Sequence, residues 1–267
     1  ILFRNKKRPH RLAPDAYGIP FSEIIIPAAS NGKLYGWWIP GSDNAPVLIL
    51  MHGWNSSLGR FLPYIRKLHP LGYNLLALDA RSHGSSSSIK NPTVWSFTED
   101  IHSALDYLFK EFPEVAKRIG VIGHSIGGGA AINAASQDAR IQSVIGIGAF
   151  SHPIQVMKQE LRSRHIPFFP FAWLFFKYWG QRVNLDYDRI APVNNIRDVK
   201  GKILLIHSRD DRIVPISQAR DLMRSADSGK AELWEIQGYG HNDYSSHNQF
   251  WNRVTAFLRD TLGPFDD

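Results

Sequence analysis

The chain has 267 residues, of which 43% are hydrophobic, so it can bury one substantial core, and we expect a single domain over residues 1–267. It contains no cysteine, which excludes disulfides, thiolate catalysis and cysteine-ligated metals. The formal net charge of +7 is spread along the chain without accompanying clusters of base-stacking aromatics, and we therefore expect no nucleic-acid partner.

The first residue is Ile1, and a short basic run follows at residues 4–8. We expect an upstream segment, which is a candidate membrane anchor because basic runs often flank membrane helices on the cytoplasmic side. The longest apolar stretch given, residues 166–176, is too short to cross a bilayer and contains Pro167 and Pro170. The sequence predicts no transmembrane helix among these residues, and it leaves the compartment and oligomeric state open.

Two short strands open the predicted fold, at residues 21–27 and 34–39, and a Ser30-Asn31-Gly32-Lys33 turn joins them into an antiparallel edge. Six nearly continuous apolar runs follow, at residues 47–51, 74–78, 119–122, 144–147, 203–206 and 232–236. Strands of this kind are buried on both faces, which is typical of a parallel sheet.

Helical patterns alternate with these strands, at residues 60–69, 97–112, 126–136, 217–225 and 246–261. The alternation predicts an α/β fold with a doubly wound, mostly parallel sheet covered by helices on both faces. It lapses at residues 151–192, where a run of aromatic and apolar residues is flanked by basic ones. We predict that this insertion is a small helical cap, whose aromatic side chains either line a substrate pocket or belong to the core.

The pentapeptide Gly123-His124-Ser125-Ile126-Gly127 follows an apolar strand and precedes a helix of small residues. A serine on such a tight strand-to-helix turn has strained backbone angles, and glycines on both sides leave room for them. We therefore predict that Ser125 is the catalytic nucleophile, and that His124 points the other way and is packed.

A serine nucleophile needs a histidine to take its proton and a carboxylate to orient that histidine. After the strand at residues 203–206 comes a loop containing Asp210 and Asp211, and the chemistry of the motif does not separate the two. After the last strand, a glycine-rich loop carries His241, which we predict to be the general base. His247 lies in the next helical pattern and is predicted to be an ordinary surface or capping residue.

Two backbone amides are expected to stabilise the developing oxyanion. One belongs to Ile126, the residue after the nucleophile, and the other to Trp54, which follows Gly53 in the loop after the strand at residues 47–51. Trp54 is also a candidate pocket-lining residue. We predict a structural role for His52, organising this loop by hydrogen bonding.

The segment Asp-Ala-Arg-Ser-His-Gly at residues 79–84 contains an acid and a histidine but comes before Ser125. We predict that its side chains pair with one another and hold the loops beside the site. No histidines or carboxylates are spaced as metal ligands, and a dinucleotide-type glycine motif is absent, so we expect neither a metal nor a cofactor.

Taken together, the Gly-His-Ser-Ile-Gly, Met-His-Gly-Trp, Asp-Ala-Arg-Ser-His-Gly, Asp-Asp-Arg-Ile-Val-Pro and Gly-Tyr-Gly-His-Asn-Asp motifs resemble those of the α/β-hydrolase superfamily over nearly the whole chain. The arrangement is similar to that of its serine-aminopeptidase-like and prolyl-oligopeptidase-like single-domain esterases. The resemblance implies that the acid is Asp211, the residue followed by Arg-Ile-Val-Pro. Relatives usually have glycine where this chain has Ser82, and some carry an N-terminal membrane anchor.

These observations favour a serine hydrolase that cleaves small to medium apolar acyl or aryl esters through an acyl-enzyme, with a small-molecule ester as its partner. Peptide or amide hydrolysis and thioester cleavage use the same groups and remain alternatives. A ligand-binding module without turnover is a further alternative, although the presence of all three catalytic side chains argues against it.

Overall fold

The computed structural model describes residues 7, 10–182 and 185–264, and the basic run at residues 4–8 therefore lies mostly outside it. Within those residues, eight strands form one sheet in the order β1-β2-β4-β3-β5-β6-β7-β8. The strands are β1 (Ser22–Ala28), β2 (Gly32–Ile39), β3 (Val47–Met51), β4 (Asn74–Leu78), β5 (Ile119–His124), β6 (Ile141–Ile147), β7 (Lys202–Ser208) and β8 (Ala231–Ile236).

β2 is antiparallel to both of its neighbours, whereas every pairing from β4 to β8 is parallel. The turn between β1 and β2 has positive φ at Ser30 (59°) and Asn31 (55°), as the twist of a tight hairpin requires. The predicted antiparallel edge and doubly wound, mostly parallel sheet are confirmed.

Helices cover both faces of the sheet. They are α1 (Leu62–Leu68), α2 (Val94–Glu111), α3 (Ile126–Gln137), α4 (Pro153–Ser163), α5 (Trp173–Arg182), α6 (Pro192–Asn195), α7 (Ile216–Ser225) and α8 (Phe250–Leu262). α2 begins three residues earlier than predicted because Thr93 and Ser96 form a reciprocal capping box at its start. α8 begins at Phe250 instead of residue 246, after a short 3-10 turn at Tyr244–Ser246.

The core lies in two layers, one on each side of the sheet. Alternate residues of β3 point to opposite layers: Ile49 belongs to the layer that includes side chains of α2, α3 and α7, while Leu48 and Leu50 belong to the layer that includes those of α1 and α8. All five residues of β3 are buried, as the continuous apolar run predicts. The central strands are thus held rigidly between two apolar layers, and the loops at their carboxyl ends are anchored to a fixed frame.

The cap consists of α4, α5 and the segment between them. Its aromatic run does not fulfil either prediction made from the sequence: within residues 167–176 only Phe176 is buried, and none of the run lines the pocket described below. The prediction is wrong because α5 contacts the body through few residues and leaves the other side chains facing outward. Within the described residues, no helix combines the length and apolarity needed to cross a bilayer.

Candidate active site

Ser125 occupies the sharp turn between β5 and α3, with backbone angles of φ 56° and ψ −118°. A side chain at Gly123 would lie 2.2 Å from the carbonyl oxygen of Gly127, so this turn closes only with glycine there. Positive φ costs free energy in a residue other than glycine, and such strain concentrates at functional sites. Ser125 therefore has the strained backbone predicted for a nucleophile.

The loop after β3 approaches Ser125 closely. A Cβ atom on Gly53 would lie 3.3 Å from the Cβ of Ser125 and 2.8 Å from Nδ1 of His124. On the other side, a Cβ atom on Gly127 would lie 2.2 Å from the carbonyl oxygen of Met51. Two glycines thus bring the segments carrying the predicted oxyanion donors together around the serine.

The predicted donors, Trp54 and Ile126, both line the same cavity as Ser125. Ile126 is the first residue of α3, so its N–H has no acceptor within the helix and is free to serve a ligand. The helix dipole also favours negative charge at this end. The local geometry suits the stabilisation of an oxyanion.

Asp211 and His241 are joined directly, with Nδ1 of His241 donating to Oδ2 of Asp211 over 2.6 Å. Asp211 follows β7 and His241 follows β8, and both side chains are buried. The described hydrogen bonds do not include one between His241 and the Ser125 hydroxyl. The structure thus places the predicted acid and base in direct contact. Ser125 is connected to them through its neighbour in the chain, His124.

Four hydrogen bonds converge on the Asp211 carboxylate. The N–H groups of Ile213 and Val214 each donate to Oδ1 over 2.9 Å, and the Tyr244 hydroxyl donates to Oδ2 over 2.7 Å alongside His241. Burial by itself raises the pKa of Asp211, but the hydrogen bonds from His241, Val214 and Tyr244 outweigh it and hold that pKa below its ordinary value. Asp211 is therefore ionised at neutral pH.

His124 supports His241 through a hydrogen bond to its backbone. Its Nε2 donates to the backbone carbonyl of His241 over 2.8 Å, and the two rings lie 4.9 Å apart. Burial holds the pKa of His124 well below its usual value, so this ring is neutral. A guanidinium nitrogen of Arg60 lies 3.1 Å from the same Nε2 and donates to the carbonyl of Asn242 over 3.0 Å.

Arg60, His124 and Tyr244 were not identified as site residues from the sequence. His124 is packed, as predicted. From its position beside Ser125 it also hydrogen-bonds to the loop that carries His241. Tyr244 lies three residues beyond His241, a local signal that could have been used. Arg60 is 182 residues from Asn242, and no sequence pattern relates them.

The other acidic and histidine residues considered from the sequence do not take part in the contact between Asp211 and His241. Asp210 is exposed, and its Oδ2 accepts from the N–H of Gly238 over 2.6 Å, a turn-forming contact. His247 lies before α8 and packs edge-on against Trp234. His52 is fully buried and accepts from the N–H of Ala80 over 3.1 Å, consistent with its predicted structural role.

The segment at residues 79–84 holds neighbouring loops, but its side chains do not pair with one another as predicted. Asp79 accepts from the N–H groups of Leu58 and Ser85, each over 2.8 Å. Arg81 turns away from Asp79 and pairs with Asp100 and Glu99 on α2. The reason is geometric: α2 offers two carboxylates to a buried guanidinium, while Asp79 already contacts backbone donors and His10, whose Nε2 lies 2.8 Å from its Oδ2.

A cavity of about 400 Å³ opens at Ser125 between the sheet and the cap. α4 forms one wall with Val156 and Met157, and Phe150 and Ile190 contribute further apolar surface. Glu160 and Arg164 supply its charged groups and form an ion pair of 2.7 Å with each other. Among the residues that the structure describes, no three His, Cys, Asp or Glu side chains gather as a metal site.

Comparison with known proteins identifies the family. The model of the serine aminopeptidase, S33 family matches residues 42–181, slightly more than half of the chain and the part that contains Ser125 and the loop after β3. The chain belongs to the serine aminopeptidase S33 family. S33 proteins with this sheet are α/β hydrolases, so the suspected superfamily is confirmed and the chain is a hydrolase.

Several known proteins are similar to this chain over most of its length. The uncharacterized protein YqkD of Bacillus subtilis is 25% identical over 90% of this chain and 79% of its own length. Lysophosphatidylserine lipase ABHD12 of Gallus gallus is 22% identical over 89% of this chain and 65% of its own length. The esterase Pf2001 of Pyrococcus furiosus superposes with a TM-score of 0.80 at 24% identity, covering 97% of this chain and all of that one. At this identity, the structural likeness shows the shared fold.

Proposed function

We propose that this S33 hydrolase is a serine esterase that cleaves carboxylic esters of small to medium apolar acyl or aryl groups through an acyl-enzyme. Ser125 is the nucleophile, His241 the general base and Asp211 the acid that orients His241. The backbone N–H groups of Trp54 and Ile126 form the oxyanion hole.

The reaction takes place in two halves. His241 accepts the proton of the Ser125 hydroxyl as Oγ attacks the acyl carbon, and the carbonyl oxygen becomes an oxyanion facing Trp54 and Ile126. His241 then returns the proton to the departing alkoxide, which leaves as an alcohol. Water, deprotonated by His241, attacks the acyl-enzyme and releases the carboxylic acid, restoring the Ser125 hydroxyl.

The observation that carries this proposal is that the strained Ser125 and both candidate oxyanion donors open into one largely apolar cavity. Apolar walls stabilise an acyl or aryl group, while the polar donors at one end fix the carbonyl. The cavity volume, about 400 Å³, is in the range of small-molecule sites. An ester with a short apolar acyl chain fits this combination of size and polarity.

The charged groups in the cavity favour an ester over a peptide with a free amino terminus. A substrate ammonium group would need an unpaired carboxylate in the cavity. Glu160 is the carboxylate that lines it, and Arg164 already pairs with it. Aminopeptidase activity therefore ranks behind ester hydrolysis, and amidase and thioesterase activities are outcomes of the test below.

A fluorophosphonate probe tests whether the site is catalytic. We expect one probe per chain on wild-type protein, located at Ser125 by peptide mass spectrometry, and no labelling of Ser125→Ala. Ser217→Ala, a change at an exposed serine on α7, serves as the matched control and should label normally. Folded wild-type protein that does not label would favour a binding module without turnover.

Substrate class follows from a panel of p-nitrophenyl esters of increasing acyl length, run beside aminoacyl p-nitroanilides and acyl thioesters. We expect the highest kcat/KM on a short to medium ester. Val156→Trp should shift that optimum to shorter acyl groups by filling the cavity, whereas Gln155→Trp, on the exposed side of α4, should not. Faster cleavage of an anilide or a thioester than of every ester would overturn the esterase assignment.

A further inference from the structure

The outer face of the cap carries a continuous set of exposed apolar side chains. We call it the aromatic patch, and its members are Phe169, Phe171, Trp173, Leu174, Phe175, Tyr178 and Trp179. Phe171 is 82% exposed and Phe169 is 72% exposed. The ring of Phe169 lies 6.1 Å from that of Trp173, and the ring of Phe175 lies 6.1 Å from that of Trp179. Soluble proteins rarely expose an apolar surface of this extent unless something binds there.

α5 is attached to the rest of the cap by a narrow strip. Phe176 and Gly180 are its buried residues, one helical turn apart. Phe176 stacks on Phe168 with ring centroids 6.0 Å apart, and a Cβ atom on Gly180 would lie 3.0 Å from the carbonyl oxygen of Leu185. The patch side chains on this helix are therefore free to insert into an apolar medium without unpacking the cap.

Basic side chains accompany the aromatic residues of the cap. Residues 153–182 include five Lys or Arg and one acidic residue, Glu160, a net charge of +4. The ammonium of Lys158 lies 5.0 Å from the ring centroid of Phe168, and that of Lys177 lies 5.2 Å from that of Trp173. Cations are thus held at the same level as the aromatic rings. Tryptophan and tyrosine together with lysine and arginine are the residues that favour the boundary between lipid headgroups and acyl chains.

We propose that the aromatic patch docks onto the surface of an anionic phospholipid bilayer. The rings enter the headgroup and upper acyl region, while Lys158 and Lys177 contact lipid phosphates. A second copy of the chain is a poorer occupant, because a symmetric contact would bring together two caps, each with a net charge of +4 over residues 153–182.

Docking would also place the catalytic cavity at the lipid surface. α4 belongs to the same cap, and Val156 and Met157 on it line the cavity that contains Ser125. Apolar esters partition into membranes, so a cap held on the bilayer brings the mouth of the cavity close to its substrate. Docking itself does not depend on hydrolysis, and it can be measured in a protein that has no nucleophile.

Vesicle co-sedimentation of the Ser125→Ala chain tests this surface separately from the proposed esterase activity. The vesicles are pure phosphatidylcholine, or phosphatidylcholine with about one third phosphatidylglycerol. Phe169→Ser/Phe171→Ser/Phe175→Ser should lower partitioning onto anionic vesicles by about tenfold or more, since bound free energy scales with inserted apolar area. The matched control, Leu12→Ser/Ile25→Ser/Phe109→Ser, removes exposed apolar side chains outside the cap and should leave partitioning unchanged.

The charge contribution is tested in the same assay. Lys158→Gln/Lys177→Gln should weaken binding to anionic vesicles by about fivefold per charge and leave binding to neutral vesicles unchanged. Lys67→Gln/Lys90→Gln, at exposed lysines outside the cap, is the control. The proposal would be overturned if the chain did not bind vesicles, or if the control variants lost as much vesicle binding as the test variants. It would also be overturned if the chain were a dimer that the serine substitutions convert to a monomer. If wild-type protein binds vesicles but does not react with the fluorophosphonate probe, the esterase assignment alone is overturned.

Discussion

The two neighbouring carboxylates of the acid loop differ in what they contact. Asp211 accepts from two backbone amides, a tyrosine and His241, whereas Asp210 accepts from the N–H of Gly238 at the surface. Motif chemistry alone gave no basis for choosing between them, and the resemblance implied Asp211. In the structure the carboxylate that contacts His241, in the loop after β8, is that of Asp211.

Asp211→Asn should lower kcat by about four orders of magnitude while the chain stays folded, since an amide at this position favours the wrong tautomer of His241. Steady-state kinetics on the best p-nitrophenyl ester measures the effect. Asp210→Asn is the control, and its kcat should stay within about a factor of a few, because it disturbs a single surface hydrogen bond. Equal losses in the two variants would remove Asp211 from the proposed triad.

Tyr244 acts through Asp211, so its removal has a distinctive signature. Tyr244→Phe deletes one hydrogen bond that lowers the pKa of Asp211, and that pKa rises. Without that bond the carboxylate holds His241 less firmly in place, so kcat should fall by about tenfold with KM nearly unchanged. Tyr178→Phe, at an exposed tyrosine of the cap, should leave both kinetic constants as in wild type. A change in KM alone would assign Tyr244 to substrate binding instead.

At the scale of elements, the strand-to-helix junction depends on glycines that pack against neighbouring backbone. Gly127 lies against the β3 end, where its added Cβ would meet the Met51 carbonyl oxygen at 2.2 Å. Gly128 is less crowded, because a Cβ atom added there would lie 3.0 Å from both the Cβ of Ala149 and the carbonyl oxygen of Gly123. At Gly59 the nearest atom would be 3.7 Å away.

The three glycines define a graded prediction. In urea unfolding, we expect Gly59→Ala to leave the free energy of unfolding within about 1 kcal/mol of wild type. Gly128→Ala should lose about 1–3 kcal/mol by overpacking. Gly127→Ala should lose more, or fail to fold, because backbone must move to admit the methyl group. Gly127→Ala as stable as Gly59→Ala would contradict the close approach of α3 to β3.

Element boundaries were predictable to the extent that local chemistry sets them. β3 and β4 match the apolar runs residue for residue, because strands buried on both faces have no polar positions to blur their ends. α2 was predicted to start too late because the capping box at Thr93 precedes its apolar pattern. The cap was predicted as helical, but its aromatic face was misplaced, because hydrophobicity does not say whether a surface will be covered by protein.

At the scale of the whole molecule, buried histidines tie stability to pH. Burial is the largest cause that lowers the pKa of His52, His124 and His207 below the ordinary value, and it lowers that of His83 to about 4. The unfolded chain binds protons at these positions near pH 6.5, whereas the folded chain does not. The contribution of His83 to stability is therefore complete above about pH 6.5 and is lost as the pH falls toward about 4.

We expect the free energy of unfolding in urea to fall between pH 7.5 and 5.5, by up to about 1.4 kcal/mol per pH unit for each histidine below its unfolded pKa. His83→Gln should reduce that slope, whatever its effect on stability at pH 7.5. His165→Gln, at an exposed cap histidine, should leave the slope unchanged. A slope that His83→Gln does not alter would show that this ring is not held neutral by the fold.

The three proposed catalytic residues could be found from the sequence because each follows a strand in a distinctive local motif. Parallel strands deliver their following loops to one edge of the sheet, so the topology predicts that Ser125, Asp211 and His241 lie at the same edge. The support behind them could not be found in this way. Arg60 reaches Asn242 across the fold, and such contacts depend on how whole elements pack.

A structure of the phosphonate adduct measures the central claim most directly. We expect phosphorus bonded to Oγ of Ser125, its oxygen between the N–H groups of Trp54 and Ile126, and the Asp211–His241 hydrogen bond retained with Nε2 directed at the adduct. An adduct on another residue, or an adduct on Ser125 with the oxygen turned away from both amides and the His241 ring out of reach, would contradict it.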